Sequence, residues 1–316
     1  MSTKKPDRTR TSCIINPRAA NRKWLRRGRM REDLRRALPG RVHDTLGERE
    51  LTIGLARESC RDSDLVVAVG GDGTVADVLQ GVLDSSRTRK VVFGIIPFGS
   101  GNAFRKSFGI PKNPAKAIRV LADGEPRETD LIRIEDRVAG FASVGATAAV
   151  TAQKLQHEIH GLVGHVLAAR KMLRLPIEEK EVELFDGFDD AGRPFKRESL
   201  RLPFLDCVVA KTNYFGYSWR IAPRARFDDG YLDITFFEVS TSRYFLFFPL
   251  IYFGLFQRTQ RHFKAKRIVI KGKNLPIQYN GEFLGERDRV ELKIWPKAVK
   301  ILCPAGTGRP EPGRTS

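Results

Sequence analysis

Short apolar runs alternate with helical patterns in the first third of the chain. Continuous apolar runs of strand length occupy Ser12–Ile15, Leu65–Val69 and Val91–Ile96. Helical patterns lie between or before them, over Asn21–Leu38, Leu51–Ser59 and Val75–Leu83. Buried strands that alternate with helices are typical of a parallel sheet covered on both faces. We therefore predict an N-terminal α/β domain built on a parallel sheet.

After about Asp130 the pattern changes to strands separated by turn residues, with one helical stretch at Val150–Leu173. The predicted strands are Leu131–Ile134, Ala139–Val144, Glu181–Phe185, Phe204–Ala210, Leu232–Phe237, Ile268–Ile270 and Val290–Ile294. Such a succession predicts a mostly antiparallel β-sandwich C-terminal domain. The predicted boundaries are 11–132 for the α/β domain, with 297–305 returning to it, and 133–296 for the β-rich domain. Residues 1–10 and 306–316 are expected to be flexible tails.

The net charge narrows the choice of partners. Among 316 residues, 56 Lys and Arg face 37 Asp and Glu, a formal charge of +19. Such a surplus attracts nucleic acid, an anionic lipid surface or nucleotide phosphates. The four cysteines have no paired spacing, so neither a zinc site nor a disulfide framework is expected. We expect a cytoplasmic protein, because neither a signal peptide nor an apolar run of about 20 residues occurs.

The most informative segment is the glycine loop that follows the predicted strand Leu65–Val69. Gly70-Gly71-Asp72-Gly73-Thr74 separates the Leu65–Val69 strand from a helix. Glycines let the backbone approach a ligand closely, and the N–H groups of such a turn can cradle phosphate. A carboxylate beside phosphates requires a cation or a proton to abstract, so Asp72 indicates Mg²⁺ or general-base chemistry. The alternative is an ordinary strand–helix turn in which Asp72 caps a helix.

Two further polar loops are predicted to lie beside the glycine loop. Pro97–Asn102 follows the next apolar strand, where Gly99 and Gly101 permit close approach and Ser100 and Asn102 offer hydrogen bonds. Asn16–Ala20 follows the first strand. Ligands of open α/β sheets bind at the carboxyl ends of the strands. Three polar loops at one edge therefore favour a nucleotide site over three unrelated turns.

These segments resemble, in order, the signature of the diacylglycerol kinase catalytic family, which includes sphingosine, ceramide and small bacterial lipid kinases. Two later segments, Ile221–Asp233 and Gln278–Glu282, resemble parts of that family's β domain. The resemblance extends over most of the chain and is similar in spacing to the compact bacterial members. It implies a lipid kinase that uses ATP and Mg²⁺ to phosphorylate a lipid hydroxyl such as that of diacylglycerol.

The resemblance also implies roles for individual residues. Asp229 would bind Mg²⁺ with nearby backbone carbonyls, and the aspartate of an Asp-Gly-Glu segment would accept the hydroxyl proton. That position is Asn280 here, and an amide cannot accept this proton at neutral pH. Asp72 or Glu282 would then take the role. Together with the loop residues above, the candidate ATP-binding set is Asn16, Pro17, Arg18, Ala19, Ala20, Thr45, Gly70, Gly71, Asp72, Gly73, Thr74, Gly99, Ser100 and Asn102.

An aromatic segment suggests where a lipid partner would be met. Tyr244–Phe256 holds seven aromatic residues in thirteen and is flanked by Arg and Lys. It is too short to span a bilayer, so it fits either an element seated at a membrane interface or a buried helix. Pro249 argues against one unbroken helix. The basic run Arg22–Arg36 is either an anionic-membrane patch or a solvated helix face. We expect peripheral attachment to an anionic membrane surface.

Three alternatives remain open at this stage. The Gly-Gly-Asp-Gly loop also occurs in NAD kinases and phosphofructokinases, although Pro97–Asn102 and Asp228–Asp233 resemble lipid kinases instead. The acceptor could be a sphingoid base or another membrane alcohol. The substitution at Asn280 also fits a catalytically weak or inactive lipid-binding protein on a kinase scaffold. No specific nucleic acid is expected, because the aromatic signatures of RNA-binding domains are missing.

Overall fold

The computed structural model describes residues 6–17, 28–37, 40–45, 47–99, 102–156, 177–216 and 219–306. The chain divides into two compact units. The N-terminal unit consists of Met1–Thr129 with Lys297–Ser316, and the C-terminal unit is Asp130–Pro296. Each unit is described by itself below.

The N-terminal unit contains the parallel sheet. Its elements are β1 (Thr11–Ile15), α1 (Gly28–Ala37), β2 (Arg41–Asp44), α2 (Arg49–Ser59), β3 (Leu65–Gly70), α3 (Asp72–Leu83), β4 (Val92–Pro97), α4 (Ala103–Ser107), α5 (Pro114–Asp123), the start of β5 (Glu125–Ile134) and the end of the strand Glu282–Cys303. The order β2–β1–β3–β4 is parallel throughout, and Lys300 and Ile301 continue it beside Val92 and Phe93. The predicted α/β class of this unit is confirmed.

Burial explains why these runs form strands. Every residue of β1, β3 and β4 is buried, as expected where helices cover both faces of a parallel sheet. Helices α2 and α3 approach each other closely at Gly81, where a Cβ would lie 2.3 Å from the Ile53 carbonyl oxygen. This region can be assembled only with a glycine at that position, since real Cβ atoms do not come so near to oxygen.

The C-terminal unit is antiparallel. Its elements are the end of β5, β6 (Arg137–Ala139), β7 (Phe141–Gly145), α6 (Ala146–Gln156), β8 (Glu179–Phe188), β9 (Pro194–Pro203), β10 (Asp206–Ala210), β11 (Leu232–Phe237), α7 (Thr241–Leu246), α8 (Phe248–Tyr252), a 3₁₀ turn (Phe256–Thr259), β12 (Arg261–Tyr279) and most of β13 (Glu282–Cys303). Among these described residues no helix is long and apolar enough to cross a membrane.

Strand β12 organises this unit. It is 19 residues long and pairs antiparallel with β11 and β8 near its start, with β13 along most of its length, and with β7 at its end. Strand β10 pairs with both β7 and β11, which also pair with β12, so these four strands form a closed cycle of pairings. The inward side chains, such as Ile268, Ile270 and Leu292, form one apolar core. The predicted antiparallel β-sandwich class is confirmed.

Several elements differ from the sequence-based prediction, and β2, α4 and α5 were not predicted at all. Strand β9 was missed because its residues are mostly exposed and polar, and it pairs with β8 partly through the Arg197–Glu183 and Arg201–Glu181 ion pairs. Helix α3 begins at Asp72 rather than Val75, since Gly71 is its N-cap. The helical stretch predicted at 150–173 begins at Ala146, and its part beyond Gln156 lies outside the described residues.

The inner end of the predicted N-terminal tail is attached to the sheet. The carbonyl oxygen of Arg10 accepts hydrogen bonds from the backbone N–H groups of Asp64, at 2.8 Å, and Leu65, at 3.2 Å. The Arg10 side chain also donates to the Asp62 carbonyl at 3.0 Å. Arg10 therefore belongs with the start of β3 and not with a loose segment.

Candidate nucleotide site and a buried ion cluster

Four strand ends meet at one edge of the parallel sheet. Asn16 follows β1, Thr45 follows β2, Gly71 follows β3 and Phe98 follows β4. The side chain of Asn16 donates from Nδ2 to Thr74 Oγ1 at 3.1 Å, which joins the first loop to the glycine loop. The Thr45 N–H donates to the Ile15 carbonyl at 2.7 Å. The structure thus brings together candidate residues that are far apart in the sequence.

The two glycine loops touch through backbone atoms. A Cβ placed on Gly99 would lie 2.6 Å from the Gly71 Cα, and a Cβ on Gly71 would lie 3.3 Å from the Gly99 Cα. A Cβ on Gly70 would collide with the Thr74 side chain at 2.6 Å. By contrast, a Cβ on Gly73 would meet nothing within 4 Å. Gly70 and Gly99 therefore leave no room for a side chain at this edge, Gly71 leaves little, and the space beside Gly73 is open.

Asp72 connects the loops electrostatically. Its Oδ1 accepts a hydrogen bond from the Phe104 N–H at 3.3 Å, at the start of α4. Burial raises the pKa of Asp72, and the N–H groups of Ala103, Phe104 and Asn102 together with Arg105 oppose that rise. Asp72 thus caps helix α4, which follows the Pro97–Asn102 loop, and not the helix α3 in which Asp72 itself lies. A carboxylate can accept about four hydrogen bonds or metal contacts, so this cap does not use its full capacity.

Asn102 shapes its own loop. Its backbone lies in the left-handed region, with φ at 48°, and its side chain accepts from the Gly99 N–H at 3.0 Å and donates to the Gly99 carbonyl at 2.6 Å. The amide predicted to contact a ligand is therefore engaged within the Pro97–Asn102 loop. Arg18, Ala19, Ala20 and Ser100 lie outside the described residues, and Pro17 directly follows Asn16.

In the C-terminal unit, Asn280 forms the tight turn between β12 and β13. It has a φ of 49° and is followed by Gly281 at 91°, which is the Asn-Gly turn favoured in two-residue hairpins. Its Oδ1 accepts from the Gly140 N–H at 3.0 Å, and its Nδ2 donates to the Val138 carbonyl at 3.1 Å. An aspartate could not make the second bond when ionised. Asn280 therefore anchors the β6–β7 turn, and Glu282 is the first residue of β13.

Asp229 lies in a cluster of buried charges. Lys211 Nζ is 2.6 Å from Asp229 Oδ1, and Lys264 Nζ is 2.5 Å from Asp229 Oδ2. Burial acts to raise the pKa of Asp229, but the two ammonium groups outweigh it and lower that pKa. Both carboxylate oxygens are thus hydrogen-bonded to cations. This arrangement does not fit the Mg²⁺ site predicted at Asp229, because a metal needs those oxygens as ligands.

Sequence reasoning missed Lys211, Lys264 and Asp130 as members of this cluster. Lys211 is 1% exposed, and Asp130 Oδ2 lies 3.4 Å from its Nζ. The one local signal was a lysine that directly continues the wholly buried strand β10, since a lysine is almost never fully buried without a partner. Within the residues that the structure describes, no group of three or more His, Cys, Asp or Glu side chains is placed to hold a metal.

Comparison with known proteins agrees with the geometry. Residues 10–134 match the family model of the diacylglycerol kinase catalytic domain, and residues 190–303 match the YegS C-terminal NAD kinase beta sandwich-like domain. The chain therefore contains a diacylglycerol kinase catalytic domain, as its motifs predicted.

Curated relatives and solved structures resemble the chain to different extents. A diacylglycerol kinase of Staphylococcus haemolyticus (strain JCSC1435) is 25% identical over 197 residues, 62% of this chain and 57% of the relative. One of Staphylococcus aureus (strain JH9) is 26% identical over 191 residues, 60% and 58% of the two chains. The chain thus spans less than two thirds of these relatives. A crystal structure of a diacylglycerol kinase from Bacillus anthracis str. Sterne shares the fold, with a TM-score of 0.71, 20% identity, and 97% and 100% of the chains covered.

Proposed function

We propose that this protein is a lipid kinase that transfers the γ-phosphate of ATP to a lipid hydroxyl. The observation that carries the proposal is the backbone contact between Gly71 and Gly99, with Asp72 bridging the two loops at the carboxyl edge of the parallel sheet. This is the edge at which open α/β sheets bind ligands. The curated relatives are named diacylglycerol kinases, and diacylglycerol is accordingly the proposed acceptor, with a sphingoid base as the alternative.

The proposed mechanism relies on positioning and electrostatics, as phosphoryl transfer generally does. The backbone N–H groups at the start of α3, beside the open space at Gly73, would bind the phosphates. A magnesium ion bound with ATP would neutralise charge on the transferred phosphoryl group. The residues present fit such an ion, because Asp72 offers a half-buried carboxylate with spare acceptor capacity. Asp72 would also orient the attacking hydroxyl.

The first experiment measures transfer of radiolabelled phosphate from ATP to diacylglycerol and sphingosine in mixed micelles, with and without Mg²⁺. The Asp72→Asn protein is compared with Asp77→Asn, which lies on the same helix α3 and pairs with Arg49 at 3.6 Å. We expect Mg²⁺-dependent labelling that falls by about 100-fold in Asp72→Asn, because a positioned carboxylate contributes about 10²–10⁴ in rate. Asp77→Asn should stay within about threefold of wild type.

Two outcomes would count against the proposal. Full activity in Asp72→Asn would remove Asp72 from the mechanism. ATP binding without labelling of any lipid would favour the other candidate function, a lipid-binding protein on a kinase scaffold. The observation that favours this second candidate is the use of Asn280 as a structural anchor where the family pattern has an aspartate.

We also propose that the segment Tyr244–Phe256 attaches the protein to an anionic membrane. Four of the six large apolar side chains that are exposed among the described residues lie here: Leu246 at 73%, Leu250 at 42%, Phe253 at 63% and Leu255 at 49%. Phe247 joins α7 to α8, Pro249 lies in the first turn of α8, and the exposed Arg243 and Arg258 lie near the two ends of the segment. Apolar side chains bordered by cations suit the interface of an anionic bilayer.

The inner face of the same segment is fixed to the core, so the outer face is held outward. Tyr244 and Ile251 are buried. The Ile251 carbonyl accepts hydrogen bonds from Trp219 Nε1 at 3.1 Å and from Gln257 Nε2 at 2.8 Å. One face of the segment therefore belongs to the core, while the other presents apolar side chains at the surface.

Vesicle sedimentation tests this surface. We expect the Leu246→Ser/Phe253→Ser double variant to bind vesicles of anionic phospholipid at least tenfold more weakly than wild type, since burial of each side chain contributes about 1.5–3 kcal/mol. Leu51→Ser is the matched control, because Leu51 is 52% exposed on α2 of the N-terminal unit. Equal binding by the double variant and wild type would contradict the proposal. So would equal binding to neutral and anionic vesicles.

A further inference from the structure

The turn before β11 binds a positively charged side chain of the protein, that of Lys211. Lys211 Nζ donates to Asp229 Oδ1 at 2.6 Å and to the Tyr231 carbonyl at 2.6 Å, and it lies 3.4 Å from Asp130 Oδ2. The side chain of Lys211 is 1% exposed. Three oxygens, contributed by two distant parts of the chain, therefore converge on one buried ammonium group.

A second ammonium group closes the other side of the carboxylate. Lys264, on β12, donates to Asp229 Oδ2 at 2.5 Å and lies 3.7 Å from Asp233 Oδ2. Asp233 Oδ1 is in turn 2.6 Å from His262 Nε2. A magnesium ion would need oxygens at about 2.0–2.1 Å in octahedral geometry. The oxygens of Asp229 face ammonium groups instead, and these would repel a dication.

The backbone of the turn is built around the same carboxylates. Asp130 Oδ2 accepts from the Gly230 N–H at 2.7 Å, and the Asp130 N–H donates to the Phe227 carbonyl at 2.6 Å. Asp229 Oδ1 also accepts from the Tyr231 N–H at 3.3 Å. The 227–231 turn is therefore held closed by groups of the chain, with the ammonium of Lys211 at the place where its oxygens converge.

We propose that Lys211 is a built-in cation that takes the place of a divalent metal ion in this turn, so that the C-terminal unit folds and stays folded without metal. The oxygens that a metal would use, Asp229 and a nearby backbone carbonyl, are those that Lys211 binds. This inference does not depend on the proposed kinase activity. It follows that any divalent ion needed for the reaction would act with the nucleotide alone.

The test uses full-length, metal-stripped protein with neither ATP nor lipid. Urea unfolding is measured in EDTA and in millimolar MgCl₂, with NaCl added to equal ionic strength. We expect the wild-type midpoint to be the same in both solutions. Tyrosine-sensitised Tb³⁺ luminescence is measured in parallel on wild type and Asp229→Asn, and we expect the two titrations to coincide.

The proposal is overturned if Mg²⁺ raises the wild-type midpoint and Asp229→Asn abolishes the rise. It is equally overturned if Asp229→Asn removes a Tb³⁺ signal that the wild type shows. Asp130→Asn provides a second variant for both comparisons if Asp229→Asn does not fold. Because no nucleotide is present, failure of this inference is distinguishable from failure of the kinase proposal.

Discussion

Replacing Lys211 by methionine should strongly destabilise the C-terminal unit. Methionine has a similar length and fills apolar space well, so the change removes the charge with little change in volume. Asp130 and Asp229 would then lose the ammonium that lies 3.4 and 2.6 Å from them in an environment where Lys211 is 1% exposed. Breaking a buried pair by removing one partner costs about 3–5 kcal/mol. We expect a loss of that size in the free energy of unfolding.

The measurement is urea unfolding followed by tryptophan fluorescence. Two of the three tryptophans, Trp219 and Trp295, lie in the C-terminal unit, so most of the signal reports on the region that is perturbed. Lys271→Met is the matched control, because Lys271 pairs with Glu183 at 3.0 Å but its side chain is 44% exposed. Exposed pairs contribute about 0–1 kcal/mol. A loss below about 1 kcal/mol in Lys211→Met, equal to that of the control, would refute the reasoning.

The pH dependence of the free energy of unfolding is a second test of the ion cluster around Asp229. The pKa of Asp229 is lowered in the folded state, so its contribution to stability is present above the unfolded pKa, about 3.9, and is lost as pH falls through the folded value. Lys211→Met removes one of the two cations responsible for the lowering. The variant should therefore lose less stability than wild type on acidification below about pH 4.

Three further outcomes are expected. Asn280→Asp should lower the free energy of unfolding by about 1–3 kcal/mol, because the Val138 carbonyl loses its donor. The same substitution should leave kinase activity within tenfold of wild type, and a larger gain would show that an aspartate at position 280 acts as the missing base. Gly99→Ala should abolish ATP binding, measured by calorimetry, because the added Cβ would push the Pro97–Asn102 loop away from Gly71. Gly54→Ala is the control and should leave ATP binding unchanged, since a Cβ there would meet nothing within 4 Å. Burial raises the pKa of Asp206 to about 7, above its unfolded value of about 3.9, so wild-type stability should fall by up to about 4 kcal/mol as pH rises from about 4 to about 7. Asp206→Asn should remove this slope.

The parts of the fold that local patterns could predict are those with uniform burial. Strands β3 and β4 are continuous apolar runs, and their parallel pairing follows from the single helix α3 between them. The meeting of the Gly70–Thr74 and Pro97–Asn102 loops follows in turn, since neighbouring parallel strands end at the same edge. Strand β9 had no such signal, because a two-sided, mostly exposed strand lacks the apolar alternation that prediction depends on.

The contacts that define the site were beyond local patterns because they join distant segments. Asn280 bonds to Val138, 142 residues away, and the partner of its amide cannot be deduced from the Asn-Gly turn itself. Asp72 was predicted to act on a ligand or to cap a helix, and the capped helix proved to be α4, 32 residues further on. Motifs therefore identified which residue types gather at the edge, whereas their hydrogen-bond partners required the folded chain.

The buried ion cluster and the glycine loop divide two roles of a cation between the two units of the chain. Lys211 supplies positive charge to the 227–231 turn of the C-terminal unit, while Asp72 in the N-terminal unit is the carboxylate suited to an ion that arrives with ATP. A covalently attached ammonium cannot dissociate, so removal of metal should leave the fold of the C-terminal unit intact. Under both proposals a chelator would therefore stop phosphate transfer at a concentration that leaves the unfolding midpoint unchanged. A coincident loss of activity and stability would instead require one metal site that serves both.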